Sequence, residues 1–357
     1  MKLMNKNASR LINLAVPALF LTTLSLLFAI DRNDGLISME GEVRKPREVT
    51  VGFYNVENLF DTINDPEKGD EDFTPSGKYG WNSKRYREKT AKLATVISGM
   101  GEDLPAIVGL CEVENEAVLR DLIAVDALAK GKYDVIHFTS LDTRGIDAAI
   151  IYRKKIFSPE HIETLFVNLG HDNRPTREIL YVNGYLKGGP LLHVFVNHWP
   201  SRYGGQEASE PNRLAAAKVL REATDAIISQ NQNASVLIMG DFNDYPDNNS
   251  VSEVLSAKGA NESGLLVNLM LGMEEEHRGT YNYRGEWGFL DQIIVSRTMV
   301  EGGPIMVKEG SAKPYSTPEM LFTDPKYGDE KPNRSYGGTE YYGGFSDHLP
   351  VHAVLLY

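Results

Sequence analysis

SVLIMGDFND, residues 235–244, is the stretch from which the fold is read. Four apolar residues in a row, Val236-Leu237-Ile238-Met239, stop at Gly240, the pattern of a short strand covered on both faces. A polar tip follows, in which Asp241 and Asn243 flank Phe242. Extended geometry sends Asp241 and Asn243 to one face and Phe242 to the other. A carboxylate and an amide then converge at the mouth of a sheet, where hard cations and phosphate oxygens are commonly held. The same residues also suit a polar turn in which Asp and Asn serve their own backbone. This stretch by itself leaves both readings open.

An apolar run closed by polar residues recurs along the chain. Residues 49–56 are β-branched and aromatic, and end in Asn55, Glu57 and Asn58. Residues 106–111 end in Glu112-Val113-Glu114-Asn115. Strands are predicted at 133–140 and 148–153, joined by a loop that holds Arg144. Further strands are expected at 162–167, 178–186 and 191–197, the last running into His198-Trp199-Pro200-Ser201-Arg202. Residues 289–295 read as a strand interrupted by one acid, Asp291. The chain closes with Ser346-Asp347-His348 and a strand at 351–357. Helices are predicted over 83–100, capped by Asn82, over 116–129 and over 212–230. Residues 302–344, rich in Gly, Pro and Tyr, read as a long, partly mobile loop system, of a kind that often carries substrate contacts. Strands outnumber helices and several are adjacent without a helix between them. That pattern points to packed sheets with helices outside.

The chain has 357 residues, enough for a large core. Its net charge of −12 argues against tight non-specific binding to nucleic acid. The single cysteine, Cys111, excludes an intrachain disulfide and reads as core packing. Lys2, Lys6 and Arg10 precede an apolar run over 11–30. Residues 1–30 are therefore expected to be a signal peptide or an N-terminal membrane anchor. Residues 31–47 follow as a linker and 48–357 as the catalytic domain. The expected location is outside the cytoplasm: periplasmic, extracellular, or attached to the membrane through the N-terminus.

Asn55, Glu112, His198, Asp241 with Asn243, Asp291, and Asp347 with His348 each sit at or beside the end of an apolar run. Carboxylates with an amide suit Mg²⁺ or Mn²⁺. No H-E-x-x-H and no paired cysteines are present, which argues against zinc. Histidine beside a carboxylate suits acid-base chemistry near neutral pH.

Tyr54-Asn55-Val56-Glu57-Asn58, Leu110-Cys111-Glu112-Val113, Asn197-His198-Trp199-Pro200-Ser201-Arg202, Gly240-Asp241-Phe242-Asn243-Asp244, Leu290-Asp291-Gln292-Ile293 and Ser346-Asp347-His348-Leu349-Pro350 resemble, in order, the motifs of the endonuclease/exonuclease/phosphatase superfamily. The resemblance covers about 49–357. It implies an α/β fold of four layers, two mixed sheets face to face with helices outside, as in DNase I. It also implies Mg²⁺ or Mn²⁺, with Ca²⁺ as an alternative. Glu112 is then the principal metal ligand, with Asn55 and Asp347 beside the metal. His348 acts at the attacking water, held by Asp291. Asp241 and Asn243 orient the water and contact the scissile phosphate or a second metal. His198 binds the phosphate or assists the leaving oxygen. Arg144 and Arg202 are phosphate ligands, since a guanidinium matches two phosphate oxygens. Glu57, Glu114 and Asp244 read as solvent-facing or as supports.

The expected function is metal-dependent hydrolysis of a phosphoester, with an exported nuclease as the leading reading. The alternative is a phosphodiesterase or phosphatase for lipid head groups or small phosphates. The net charge favours that alternative, because a nuclease needs a basic strip for the backbone. A non-catalytic binding protein on the same fold is the remaining rival. No protein partner is expected.

Overall fold

The computed structural model describes residues 46–170, 174–273, 279–325 and 328–357. The expected leader, and the linker up to residue 45, lie outside the described residues. The chain runs through β1 (Glu48–Leu59), β2 (Ile107–Val113), β3 (Tyr133–His137), β4 (Asp147–Arg153), β5 (Phe157–Leu165), β6 (Ile179–Leu186), β7 (Leu191–His198) and β8 (Ser235–Asp241). After β9 (Ala257–Lys258) and β10 (Leu266–Asn268) comes a hairpin of β11 (Tyr281–Tyr283) and β12 (Glu286–Gly288). Next are β13 (Asp291–Ser296), β14 (Met306–Val307) and β15 (Lys313–Pro314). Two small pairs, β16 (Leu321–Thr323) with β17 (Glu330–Pro332) and β18 (Tyr336–Gly337) with β19 (Glu340–Tyr341), precede β20 (Val351–Leu356).

The larger strands form two seven-stranded sheets. One has the order β14-β20-β1-β2-β4-β3, with β15 also paired to β20, and the other β5-β6-β7-β8-β13-β10-β9. Both are mixed. β1 and β2 are parallel, with helix Ser83–Gly99 in the crossover, and β7 and β8 are parallel, with helix Gln206–Gln230 between them.

Alternation along the strands explains the layers. Val51 and Phe53 of β1, and Leu237 and Met239 of β8, share one apolar core between the sheets. Tyr54 and Val56 face a second core with Leu93 and Ile97 of helix Ser83–Gly99. Val236 and Ile238 face a third with Ala216 and Leu220 of helix Gln206–Gln230. The result is the expected four-layer sandwich.

Local signals decide several boundaries. The Asn82 side chain accepts hydrogen bonds from the N–H groups of Lys84 and Arg85 at 3.0 and 3.2 Å, which starts the first helix where expected. The helix expected over 116–129 is two pieces, Glu116–Ala124 and Asp126–Ala129. Val125 turns extended between them, and its carbonyl accepts from Leu128 and Ala129. The helix expected from residue 212 begins at Gln206, with Pro211 inside it. Pro211 lies past the first turn, since Ser209 already donates its N–H to the Gly205 carbonyl, so proline there leaves the Glu207 carbonyl without its helical donor. The segment 302–344 is not a plain loop. β14 and β15 extend the first sheet, and β16 to β19 form paired hairpin strands. Among the described residues no helix is long and apolar enough to cross a membrane.

Gly240 is required by a close approach. It pairs with Asn197 of β7, and a Cβ there would lie 2.4 Å from the Asn197 carbonyl oxygen. Gly240→Ala is therefore expected to lower stability by about 1–3 kcal/mol, read as a shifted denaturant midpoint. An unchanged midpoint would mean that β7 and β8 can separate without penalty.

Candidate active site

The inner face of each sheet is apolar until its last position. On β7 the series Val194, Val196 ends in His198; on β8 Leu237, Met239 ends in Asp241; on β13 Val295, Ile293 ends in Asp291. Register places these three side by side, His198 opposite Asp241 and Asp241 opposite Asp291. On the facing sheet, Val51 and Phe53 lead to Asn55, which pairs with Cys111 of β2. The final layer of the inter-sheet core is thus polar and drawn from both sheets.

Asp241 is its centre and is 2% exposed. Its Oδ2 accepts from the Asn55 amide at 3.0 Å, and its Oδ1 from the Asn243 backbone N–H at 2.9 Å. The Nε2 atoms of His198 and His348 each stand 3.8 Å from Asp241 Oδ2. His348 Nδ1 is 2.7 Å from Asp291 Oδ2, and Asp291 is fully buried. The loop before β20 places His348: its N–H donates to Ser346 Oγ, which donates to the Asn55 carbonyl. Burial pushes Asp241 up to about 7. Burial disfavours the His348 cation, but Asp291 and Asp241 outweigh it and raise that pKa well above the usual value. His198 moves the other way, lowered by burial and by Arg177, Arg144 and His348.

Glu112 reaches this layer through a bulge. The register of β2 shifts between Cys111 and Val113, and Glu112 adopts φ 62°. Its Oε2 accepts from the Asn58 N–H at 2.9 Å, while Oε1 makes no hydrogen bond among the described residues and is 3.8 Å from Arg144. Glu57, Asn58 and Asn243 also have positive φ, at 49°, 54° and 51°. Such backbone concentrates at functional sites.

Asn55, Glu112, Arg144, His198, Arg202, Asp241, Asn243, Asp347 and His348 line one cleft of about 640 Å³, and Asp291 lies beneath it on His348. Not all are equally free. β8 ends at Asp241, and Asn243 turns left-handed and donates its amide to the Trp199 carbonyl at 3.0 Å. Arg202 donates Nε to the Asn243 carbonyl, and its other nitrogens to Gln206, Asp244 and Asn248. Its guanidinium is largely committed, whereas Arg144 is half exposed and hydrogen-bonds Asn58. Asp347 is held by Arg334 at 3.1 Å.

Of the acids read as solvent-facing or as supports, Glu57 and Asp244 are buried. Glu57 is enclosed by Lys89, Arg334 and the Ser335 N–H. Asp244 meets Arg213 at 2.7 Å and Ser250 at 2.6 Å. The sequence reading also missed Arg177, which donates to the carbonyls of His198 and Trp199, and the hairpin side chains Tyr281, Tyr283 and Glu286 of the cleft. A Tyr-Asn-Tyr run before Arg284-Gly285 is a hairpin signal that would have found the latter.

The oxygen-rich set fits a hard divalent cation. Glu112, Asp347 and Asn55 would hold it, and Glu112 Oε1 is available. Cys111, His198 and Asp241 have ligand atoms within 4.8 Å of one another. Burial keeps the Cys111 thiol protonated, which makes it a poor ligand.

A mixed α/β sandwich with acids, amides and histidines at one end of its inner faces defines a DNase I-like phosphoesterase fold. The sequence profile of the endonuclease/exonuclease/phosphatase family matches residues 50–356, and the chain belongs to that family. Among solved structures, truncated TDP2 from Caenorhabditis elegans is 17% identical with a TM-score of 0.55, covering 87% of this chain and 98% of that one. A family protein from Bacteroides thetaiotaomicron is 18% identical with a TM-score of 0.52, covering 88% and 99%. A mannosyl-6-phosphatase from the same species is 19% identical with a TM-score of 0.51, covering 87% and 100%. These are likenesses of fold. No curated protein sequence matches the chain significantly.

Folded Asp241 and His348 both hold protons that the unfolded chain releases at lower pH. Stability from each is therefore lost as pH rises, for Asp241 between 3.8 and about 7 and for His348 above 6.5. In chelator the unfolding temperature is expected to fall from about pH 5 to about pH 8, and Asp241→Asn to flatten the lower part of that slope. A variant as steep as wild type would mean that Asp241 ionises in the fold without penalty.

Proposed function

We propose that this chain is a Mg²⁺- or Mn²⁺-dependent phosphoester hydrolase that directs water onto phosphorus. The observation that carries the reading is the cross-sheet cluster of Asp291, His348, Asp241 and Asn55 beside Glu112 and Asp347. A cation held there would neutralise charge developing on the phosphoryl oxygens. The chain's own residues supply the rest. Asp291 fixes the His348 ring by its Nδ1, which leaves Nε2 to hold or move a proton at the reacting oxygen. Asn55 and the Asn243 N–H orient Asp241 toward the same point. His198, held neutral, is placed between Asp241 and Glu112 to donate a hydrogen bond to a phosphate oxygen. Arg144, half exposed, offers a charge at the rim.

The nuclease reading rests on His198 and the leader. The cleft favours the small-phosphoester alternative. Its lining holds Arg144, Arg202, the latter largely committed, and His348, against the acids Glu112, Asp241, Asp347 and Glu286. A polynucleotide needs more positive charge along its backbone. Export, or anchoring by residues 1–30 with 31–47 as a linker, belongs to the same proposal and is supported by the sequence pattern alone.

Purified protein assayed with Mg²⁺, Mn²⁺ or chelator on small phosphoesters and plasmid DNA tests this. Hydrolysis is expected only with metal, to depend weakly on salt, and to fall by about 10²–10⁴-fold in His348→Ala. Glu112→Ala that retains full activity would refute the mechanism. Steep loss of turnover with added salt would restore the nuclease reading.

A further inference from the structure

We propose that the cleft wall formed by Tyr245, Tyr281, Tyr283 and Glu286 is a platform for the ring of a sugar phosphate that carries no base, so that the leaving group is a hydroxyl of a free sugar. This rests on the hydrolase reading above. Water oxygen forms the new bond to phosphorus, the bond from phosphorus to the sugar oxygen breaks, and that oxygen leaves carrying a proton derived from the water. The products are the free sugar and inorganic phosphate.

The wall is built by the β11–β12 hairpin. Tyr281 and Tyr283 are two residues apart on one strand, so they share a face. Glu286 is the cross-strand partner of Tyr283, and Gly288 that of Tyr281, which puts both on that face too. The strip has a direction. Its inner end is at the reaction centre, where the Tyr281 ring centroid lies 4.8 Å from that of His348. Its outer end is Tyr283, 55% exposed, beside Glu286.

The wall is rigid before any ligand arrives. The hairpin turns at Arg284 and Gly285, both with positive φ, as a tight two-residue loop requires. The missing side chain of Gly288 makes room for Tyr245, whose ring carbon would lie 2.3 Å from a Cβ there. The Arg202 guanidinium, itself fixed by Asn243 and Asp244, stacks 4.4 Å from the Tyr245 ring. Tyr245 thus joins the loop after β8 to the hairpin, and aromatic side chains so fixed lose little entropy on binding.

The chemistry fits a hydroxyl-rich ring better than a polyanion. Aromatic faces pack against the C–H face of a sugar, and a carboxylate accepts from its hydroxyls. Across β8, Ser201 of the loop after β7 and Gln206, the first residue of the following helix, reach the same cleft. Gln206 turns its carbonyl to Arg202, which leaves its amide N–H groups for a ligand. Arg144 suffices for one phosphate, while at the far end of the strip Glu286 is accompanied by Arg284, whose guanidinium lies 5.1 Å from the Tyr283 ring centroid.

The test compares kcat/KM of the full-length protein with Mn²⁺ on a hexose 6-phosphate, ethyl phosphate, a nucleoside 5′-monophosphate and a short oligonucleotide. Wild type is expected to prefer the hexose phosphate to ethyl phosphate by about tenfold or more. Tyr283→Ala and Glu286→Ala should reduce that ratio toward one, mainly through KM, and Tyr283→Phe should keep it. Equal use of the two substrates by wild type, a ratio unmoved by the substitutions, or preference for either nucleotide would overturn the platform while leaving the hydrolase reading in place. Calorimetric titration of the hexose phosphate separates the two failures. Binding weakened by Tyr283→Ala without any hydrolysis would sustain the platform and refute the hydrolase reading.

Discussion

The hydrogen bonds from Asn55 to Asp241 and between His348 and Asp291 join the two sheets at one end. Asn55 and His348 come from the β1–β20 side, and Asp241 and Asp291 from neighbouring strands of the other sheet. Behind this layer the inner faces share an apolar core of Val, Ile, Leu, Phe, Met, Ala and Cys residues. Two carboxylates buried at adjacent positions are expensive unless paired. The partners that offset their cost lie mostly across the gap. Both sheets must therefore be closed at this end before the carboxylates can be held, and the apolar core behind them supplies that closure.

The same constraint fixes the chemistry. Asp291 and Asp241 are side by side, so charge on one disfavours charge on the other, and His348 faces both. A proton stays in the cluster near neutral pH as long as nothing else neutralises it. A divalent cation near Glu112 and Asp347 would do so, which links cation binding to the state of the histidine. The buried ion pairs of Glu57 and Asp244 flank the layer and brace the loops that carry Asn58 and Arg202.

Period-two patterning made much of this legible. The apolar runs that end in Asn55, His198, Asp241 and Asp291 identify the inner faces and their final polar positions, and the order of motifs points to the sandwich. Asp291 is legible for a second reason, since an acid inside an apolar strand needs a partner. What the pattern could not reveal lies where the backbone leaves extended geometry. Asn243 does line the cleft with Asp241, but through a left-handed turn rather than extended alternation, and its amide is donated to Trp199. Arg202 looks like a phosphate ligand in one dimension, but the loop after β8 folds back and supplies its acceptors. Glu57 and Asp244 sit next to polar neighbours and look solvated, while cations from distant segments, Lys89, Arg334 and Arg213, bury them.

Left-handed backbone at Glu57, Asn58, Glu112 and Asn243 follows from the same geometry. A strand that simply continued past Cys111 would carry Glu112 out of the inner face, since alternate residues point to opposite sides. The bulge adds a residue and re-aims the carboxylate toward the mouth. At Asn58 the positive φ turns an N–H back onto Glu112, and at Asn243 it returns an N–H to Asp241. Each strained residue thus positions a hydrogen bond to a carboxylate of the cleft or places the carboxylate itself. Glu57 fits that rule through Arg334, which it shares with Asp347. Strain of this kind costs about 1–3 kcal/mol per residue and persists only where the surroundings over-determine it. Here the surroundings are two closed sheets and a set of buried ion pairs, so the stability of the sandwich is what keeps the carboxylates aimed.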